Sequence, residues 1–245
     1  MAPRMQKIWR MRNRLKHGKL LTQFQKMPSM LGNVTNEVVA GIDVGGTKKG
    51  FHLVLLRGNE VLLSTKSQHP DELVQHCLRH QAVAVSVDAP CQWAERMPRR
   101  AEREMAREGI FSFSTPSRAK AQTSSFYGWM FNGEKMYLAL ADEYPLLEIP
   151  DDRKGHCSFE TFPHAIACAL LRKDVASAKI KGRQRRALLE ALGFDTSPLK
   201  SIDALDAALC GVAAQCFLSN ICKTYGDVEG GYLIVPAVNN PIVLP

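Results

Sequence analysis

Three apolar runs in this chain each end on an acid. Asp43 follows Ala40-Gly41-Ile42, Asp88 follows Val83-Ala84-Val85-Ser86-Val87, and Glu160 follows Cys157-Ser158-Phe159. Short runs of this kind read as buried strands, and a carboxylate is seldom buried without a partner. The strands must therefore be packed while their ends open on a space that tolerates charge. If they are neighbours in one sheet, the three acids converge on a single cleft.

The order of elements supports such a sheet. Val38 to Val44 is a β-branched run, and Gly45-Gly46-Thr47 makes a tight turn after it. Gly50 to Leu56 reads as a second strand, Arg57-Gly58-Asn59 as a hairpin turn and Glu60 to Thr65 as a third strand. Pro70-Asp71 opens a helix with Leu73, Val74, Cys77 and Leu78 at helical spacing, and Ala82 to Val87 is a fourth strand. A helical crossover back into a sheet implies parallel pairing. Further on, the pattern predicts helices over 98–109, 129–141, 182–192 and 203–218, with another opened by Pro163. It predicts a loop over 112–125, a strand over 157–162 and a last strand over 232–235. The fold class expected is α/β: three antiparallel strands, then parallel strands, with helices on both faces.

With 245 residues there is room for one generous α/β domain and little more. The formal charge of +8 is lopsided: up to Glu37 eight Lys/Arg face one acid, so the remainder carries only +1. Residues 1–37 are read as a basic extension and 38–245 as the domain. The extension is a solvated tail, a nucleic-acid-binding arm or an organellar transit segment. The seven cysteines are odd in number, lack CxxC spacing and lie mostly in apolar stretches, which fits a reducing compartment. No apolar run is long enough to span a bilayer, so no membrane is expected and the location expected is cytoplasmic. The sequence leaves oligomeric state open, a homodimer included.

A further pair of acids, Asp203 and Asp206, lies on the helix whose apolar stripe is Ile202, Leu205, Leu209, Val212 and Cys216. Asp206 sits beside that stripe, toward whatever the helix packs on. Carboxylates gathered in one place repel each other and stay ionised only beside a cation. Oxygen ligands without a His/Cys cluster select Mg²⁺ or Mn²⁺. Two such ions about 3.5–4 Å apart can activate a water and stabilise a leaving oxygen in phosphodiester hydrolysis. Taken singly, each acid also reads as a turn or cap residue, Asp203 as the N-cap of its helix.

Gly45, Gly46 and Thr47 offer a rival chemistry, since the turn Asp43-Val44-Gly45-Gly46-Thr47-Lys48 could cradle phosphate with its amides. It resembles the first phosphate motif of the sugar-kinase and actin-like ATPases. Those proteins need a second glycine-containing turn, and Ala204-Leu205-Asp206-Ala207-Ala208 lacks the glycines.

Several segments, in order, resemble the family catalogued as domain of unknown function 429, described as predicted ribonuclease H-like nucleases. They are Gly41-Ile42-Asp43, Val87-Asp88-Ala89-Pro90, Arg100-Ala101-Glu102-Arg103-Glu104, Phe159-Glu160-Thr161-Phe162-Pro163, Lys181-Gly182-Arg183, Asp203-Ala204-Leu205-Asp206-Ala207 and Glu229-Gly230. Phe162 stands where family members often carry His or Tyr, and Ala101 where Cys is frequent. The resemblance implies a ribonuclease H-like mixed sheet. It also implies a Holliday-junction-resolvase-like set of acids, namely Asp43, Asp88, Glu160 and Asp206, with Asp203 as the alternative. These would bind Mg²⁺ or Mn²⁺ for catalysis. His164, Lys181 and Arg103 are candidate supporting groups. The basic cluster Lys179, Lys181, Arg183, Arg185 and Arg186 reads as a solvated face or a phosphate contact. Three function classes follow: a metal-dependent nuclease or phosphodiesterase acting on nucleic acid, an ATP-dependent small-molecule kinase, and a non-catalytic nucleic-acid-binding or scaffold protein.

Overall fold

Val38 to Ser67 pair as three antiparallel strands because their apolar residues have somewhere to go on both faces. Strand β1 (Val38–Val44) returns through residues 45–50 into β2 (Phe51–Arg57), and a tight hairpin leads to β3 (Glu60–Ser67). Helix α1 (Pro70–Arg79) crosses to β4 (Ala84–Asp88), which pairs in parallel with β1. Then come α2 (Arg100–Arg107), α3 (Arg118–Gln122), a 3₁₀ turn at Ser125–Tyr127 and α4 (Gly128–Leu140). Strand β5 (Cys157–Glu160) is followed by α5 (Pro163–Leu171), α6 (Lys181–Ala191), α7 (Ile202–Leu218), β6 (Cys222–Asp227) and β7 (Gly231–Pro236). This computed structural model describes residues 35–150 and 156–244, so the basic extension lies, but for residues 35–37, outside the described residues.

The strand order is β3-β2-β1-β4-β5-β7-β6; β1, β4, β5 and β7 run parallel, and β2, β3 and β6 are antiparallel to their neighbours. Helices cover both faces. Three antiparallel strands followed by parallel strands, with helices on both faces, are the mixed α/β arrangement expected from the sequence.

Alternation sorts the two faces. Ala40, Ile42, Val44, Val85 and Val87 pack with Leu73, Cys77, Met136 and Leu140 of α1 and α4. Fully burying one such side chain contributes about 1.5–3 kcal/mol. The opposite face carries Gly41, Ser86 and Phe159 and receives α7. Phe159 stacks against Phe217 with ring centroids 4.9 Å apart, and the Ser86 hydroxyl donates to the Cys210 carbonyl at 2.6 Å. A Cβ on Gly41 would stand 2.0 Å from the Ala207 carbonyl oxygen and 2.2 Å from the Gly211 amide nitrogen. The missing side chain lets α7 lie backbone-close over β1, which brings the first turns of α7 to the end of that strand. From Ala204 to Phe217 every residue of α7 is buried, as in a helix enclosed on all sides.

Three local expectations are corrected. The stretch 112–125 is not all loop: α3 forms in it, its N-cap Ser117 accepting from the Lys120 amide. Strand β6 was not foreseen. Asp203 is not the N-cap of α7; Ser201 is, in extended conformation and accepting from the Ala204 amide at 3.0 Å. That leaves the Asp203 carboxylate free for other contacts. Among the described residues no helix is long and apolar enough to cross a membrane.

Candidate metal centre

The carboxyl ends of β1 and β4 define the site. Asp43 and Asp88 are partners in the parallel register, so both side chains leave the sheet on the α7 face. On the other side of β1, the antiparallel register places His52 opposite Asp43. The first turn of α7 contributes Asp203. One ligand atom from each of Asp43, His52 and Asp203 lies within 4.8 Å of the others. Donors this close around one space can share a cation.

The electrostatics are those of a cluster with too little positive charge. Burial, followed by the charge of Asp203, raises the Asp43 pKa from its ordinary 3.8 to about 7; Lys49, Arg185 and Lys181 oppose this. Asp88, hydrogen-bonded to Asp43, is pushed well above the ordinary carboxylate range by burial and then by Asp43. His52 is pulled down by burial, against the attraction of Asp203, which favours the neutral imidazole that a metal requires.

Two cations of the chain enter the cluster. Lys49, from the loop after β1, has its Nζ 3.0 and 3.2 Å from the two Asp203 oxygens. Arg185, from α6, is buried and ion-paired with Asp206. Asp206 therefore has its charge already met by Arg185.

Glu160 is not among the converging ligands, although its charge helps to raise the Asp88 pKa. In the register it aligns with Val87, not with Asp88, so it leaves the sheet on the opposite face. There Arg99 grips it with two nitrogens at 2.8 and 2.6 Å, and the Cys91 amide donates to it at 2.9 Å. Arg99 also holds Glu102 at 3.0 Å, and both ends of the Arg99–Glu160 pair are buried.

The supporting residues divide. Lys181 is exposed but near enough to lower the Asp43 pKa. His164 is half-buried, edge-on to Phe162 and 3.7 Å from the Cys168 sulfur; burial, then Arg185, lowers its pKa. Arg103 is exposed and donates to the Pro98 carbonyl. Arg186 donates to the Thr196 and Leu199 carbonyls, a structural role, while Lys179 and Arg183 are exposed. In the glycine turn, the Gly45 amide donates to Gly50, and the Lys49 and Gly50 amides donate to Gly46. These three amides bond within the loop and are not free to cradle a phosphate.

His52 and Lys49 are not site candidates in the sequence, and Arg185 is there one member of a basic cluster. His52 was within reach of counting: a six-residue loop from Val44 to Phe51 sets residue 52 opposite residue 43. Nothing in the pattern separates Arg185 from its neighbours.

The family model described as "Protein of unknown function (DUF429)" matches residues 41–229. No curated protein matches the chain. Among solved structures the chain is similar to the Thermus thermophilus RuvC structure. The identity is 18%, the alignment covers 75% of this chain and 96% of that one, and the TM-score is 0.38.

Proposed function

The chain belongs to the DUF429 family, and we propose that the cleft at the ends of β1 and β4 is the divalent-metal centre of a phosphodiesterase acting on nucleic acid. The observation that carries this reading is the convergence of Asp43, His52 and Asp203 within 4.8 Å, with Asp88 beside Asp43. Parallel sheets bind ligands beyond the carboxyl ends of their strands, and this cluster lies there.

The donor set fits a divalent ion. Burial and the charge of Asp203 raise the Asp43 pKa, and burial and Asp43 raise that of Asp88, a penalty that a bound cation removes. Asp43, His52 and Asp203 would hold the ion, with Asp88 adjacent. Carboxylate ligands suit Mg²⁺ and Mn²⁺, and one imidazole tilts the preference toward Mn²⁺. Such an ion supplies Lewis acidity to a phosphoryl oxygen and acidity to a water. The chain's own groups do the rest. Asp88, whose pKa burial and Asp43 raise, is the acid–base group beside the ion. Lys181, with Lys179 and Arg183 exposed around the start of α6, provides cations for a phosphate backbone.

The test is calorimetric titration of the full chain with Mn²⁺ and with Mg²⁺, repeated on Asp43→Asn. Incubation with single-stranded, duplex and branched DNA and RNA follows. Mn²⁺ binding and metal-dependent cleavage, both lost in Asp43→Asn, are expected. No binding at millimolar Mn²⁺ overturns the proposal; binding without cleavage of any of these substrates leaves a metal site and removes the nuclease.

A further inference from the structure

Four aspartates in the cleft meet two cations of this chain's own, and the two are held in opposite ways. Lys49 reaches Asp203 from solvent with a side chain 62% exposed. Exposed pairs of this type contribute little and exchange with water, so a doubly charged ion displaces the ammonium easily. Arg185 comes from α6, and its side chain and that of Asp206 are each only 7% exposed. Withdrawing a guanidinium from such a pair strands a desolvated carboxylate, which is strongly unfavourable. Arg185 also cannot give up its charge by losing a proton. Its charge acts on Asp43 and Asp88 as well as on Asp206.

We propose that Arg185 is a fixed internal cation that takes the place of a second divalent ion, so that this cleft binds one divalent ion, on Asp43, His52 and Asp203, and not two. The inference rests on the metal-site reading above. Charge counting supports it. The four carboxylates with Arg185 and one divalent ion leave the cleft with one net negative charge. A second ion would make it net positive around a buried guanidinium. The ligands divide in the same way: Asp203 is tied only to a displaceable lysine, and Asp206 to an arginine that cannot leave.

The experiment is to count Mn²⁺ bound to the full chain at pH 7.5, by calorimetry and by electron paramagnetic resonance of the free ion. Wild type is expected to bind one ion, Arg185→Lys one, and Arg185→Gln two. A second pair of variants keeps the inference testable if Arg185→Gln does not fold. Asp203→Asn should weaken Mn²⁺ binding at least tenfold, and Asp206→Asn by less than about threefold, as expected for a carboxylate outside the ligand set whose charge Arg185 already meets. Two ions in wild type, one ion in a folded Arg185→Gln, or a tenfold loss in Asp206→Asn overturns the inference while leaving the metal site standing. No bound Mn²⁺ in wild type overturns both.

Discussion

Asp43→Asn should stabilise the metal-free protein, and only above acid pH. The Asp43 pKa rises from 3.8 in the unfolded chain to about 7 in the fold. Between those values the native state holds more protons than the unfolded one, so stability falls as pH increases through the window, and the loss is complete above pH 7. Well below pH 3.8 both states are protonated and the term vanishes. At about 1.4 kcal/mol per pH unit, the full window corresponds to about 4 kcal/mol. Asp43 and Asp88 share their charge as a pair, so the part removed by one substitution is about 2–4 kcal/mol. Asparagine has the shape of the neutral acid and carries no charge at any pH. For a domain of this size that corresponds to a Tm higher by about 5–15 °C. The assay is thermal unfolding of both proteins in EDTA from pH 4.5 to 8.5. Their Tm values should approach each other at the acid end and separate progressively toward pH 8, with the variant higher. Adding Mn²⁺ should narrow or close the gap, since only wild type gains about 2.7 kcal/mol at an ion concentration a hundred times its Kd. A constant offset across pH, or a less stable Asp43→Asn at pH 8 in EDTA, refutes the account of the cluster as frustrated charge.

Lys49→Ala should tighten Mn²⁺ binding by about two- to fivefold, because it removes a weak exposed competitor for Asp203; calorimetry reads this directly. His52→Ala should weaken Mn²⁺ binding about tenfold and Mg²⁺ binding less, since imidazole is the softer donor. Equal losses for both ions would remove His52 from the ligands. Glu160→Gln should cost about 3–5 kcal/mol in urea unfolding, because it leaves the Arg99 guanidinium under-compensated in the interior. Its Mn²⁺ affinity should stay unchanged, and a lost metal site with intact stability would return Glu160 to the ligands. Gly41→Ala should cost about 3 kcal/mol or more, because its new methyl has no room against the backbone of α7.

The parts of the fold that could be read from the sequence are those whose order is set locally. The run Val38–Val44, the hairpin through Gly58 and the Pro-initiated helices α1 and α5 carry their own signals. The missed elements owe their existence to partners far along the chain. Strand β6, Cys-Lys-Thr-Tyr-Gly-Asp, buries only Tyr225 fully. It is a strand because β7 lies beside it and because Glu104 and Glu108 of the α2 segment bind its Gly226 amide and Tyr225 hydroxyl. Five-residue α3 is too short to be stable alone. It persists through the Ser117 cap and through Arg118, which pairs with Glu134 of α4 at 2.8 Å.

For the site, the decisive quantity was parity along a strand. Asp43, Asp88 and Glu160 look alike in the sequence, each closing an apolar run. Sheet register separates them by a single position: Asp88 aligns with Asp43, and Glu160 with Val87. Because successive side chains alternate faces, an offset of one is the difference between facing α7 and facing Arg99. Register is a property of paired strands and cannot be read from either strand alone. It depends here on the Ser86 hydroxyl bridging Ala40 and Cys210 and on the close approach of α7 at Gly41. The same parity brings His52 to Asp43 and leaves Glu160 as an anchor for Arg99. The proposed metal centre and a buried ion pair thus lie on opposite faces of adjacent strands, and a register slip of one residue between β4 and β5 would bring Glu160 to the cleft while stranding Arg99.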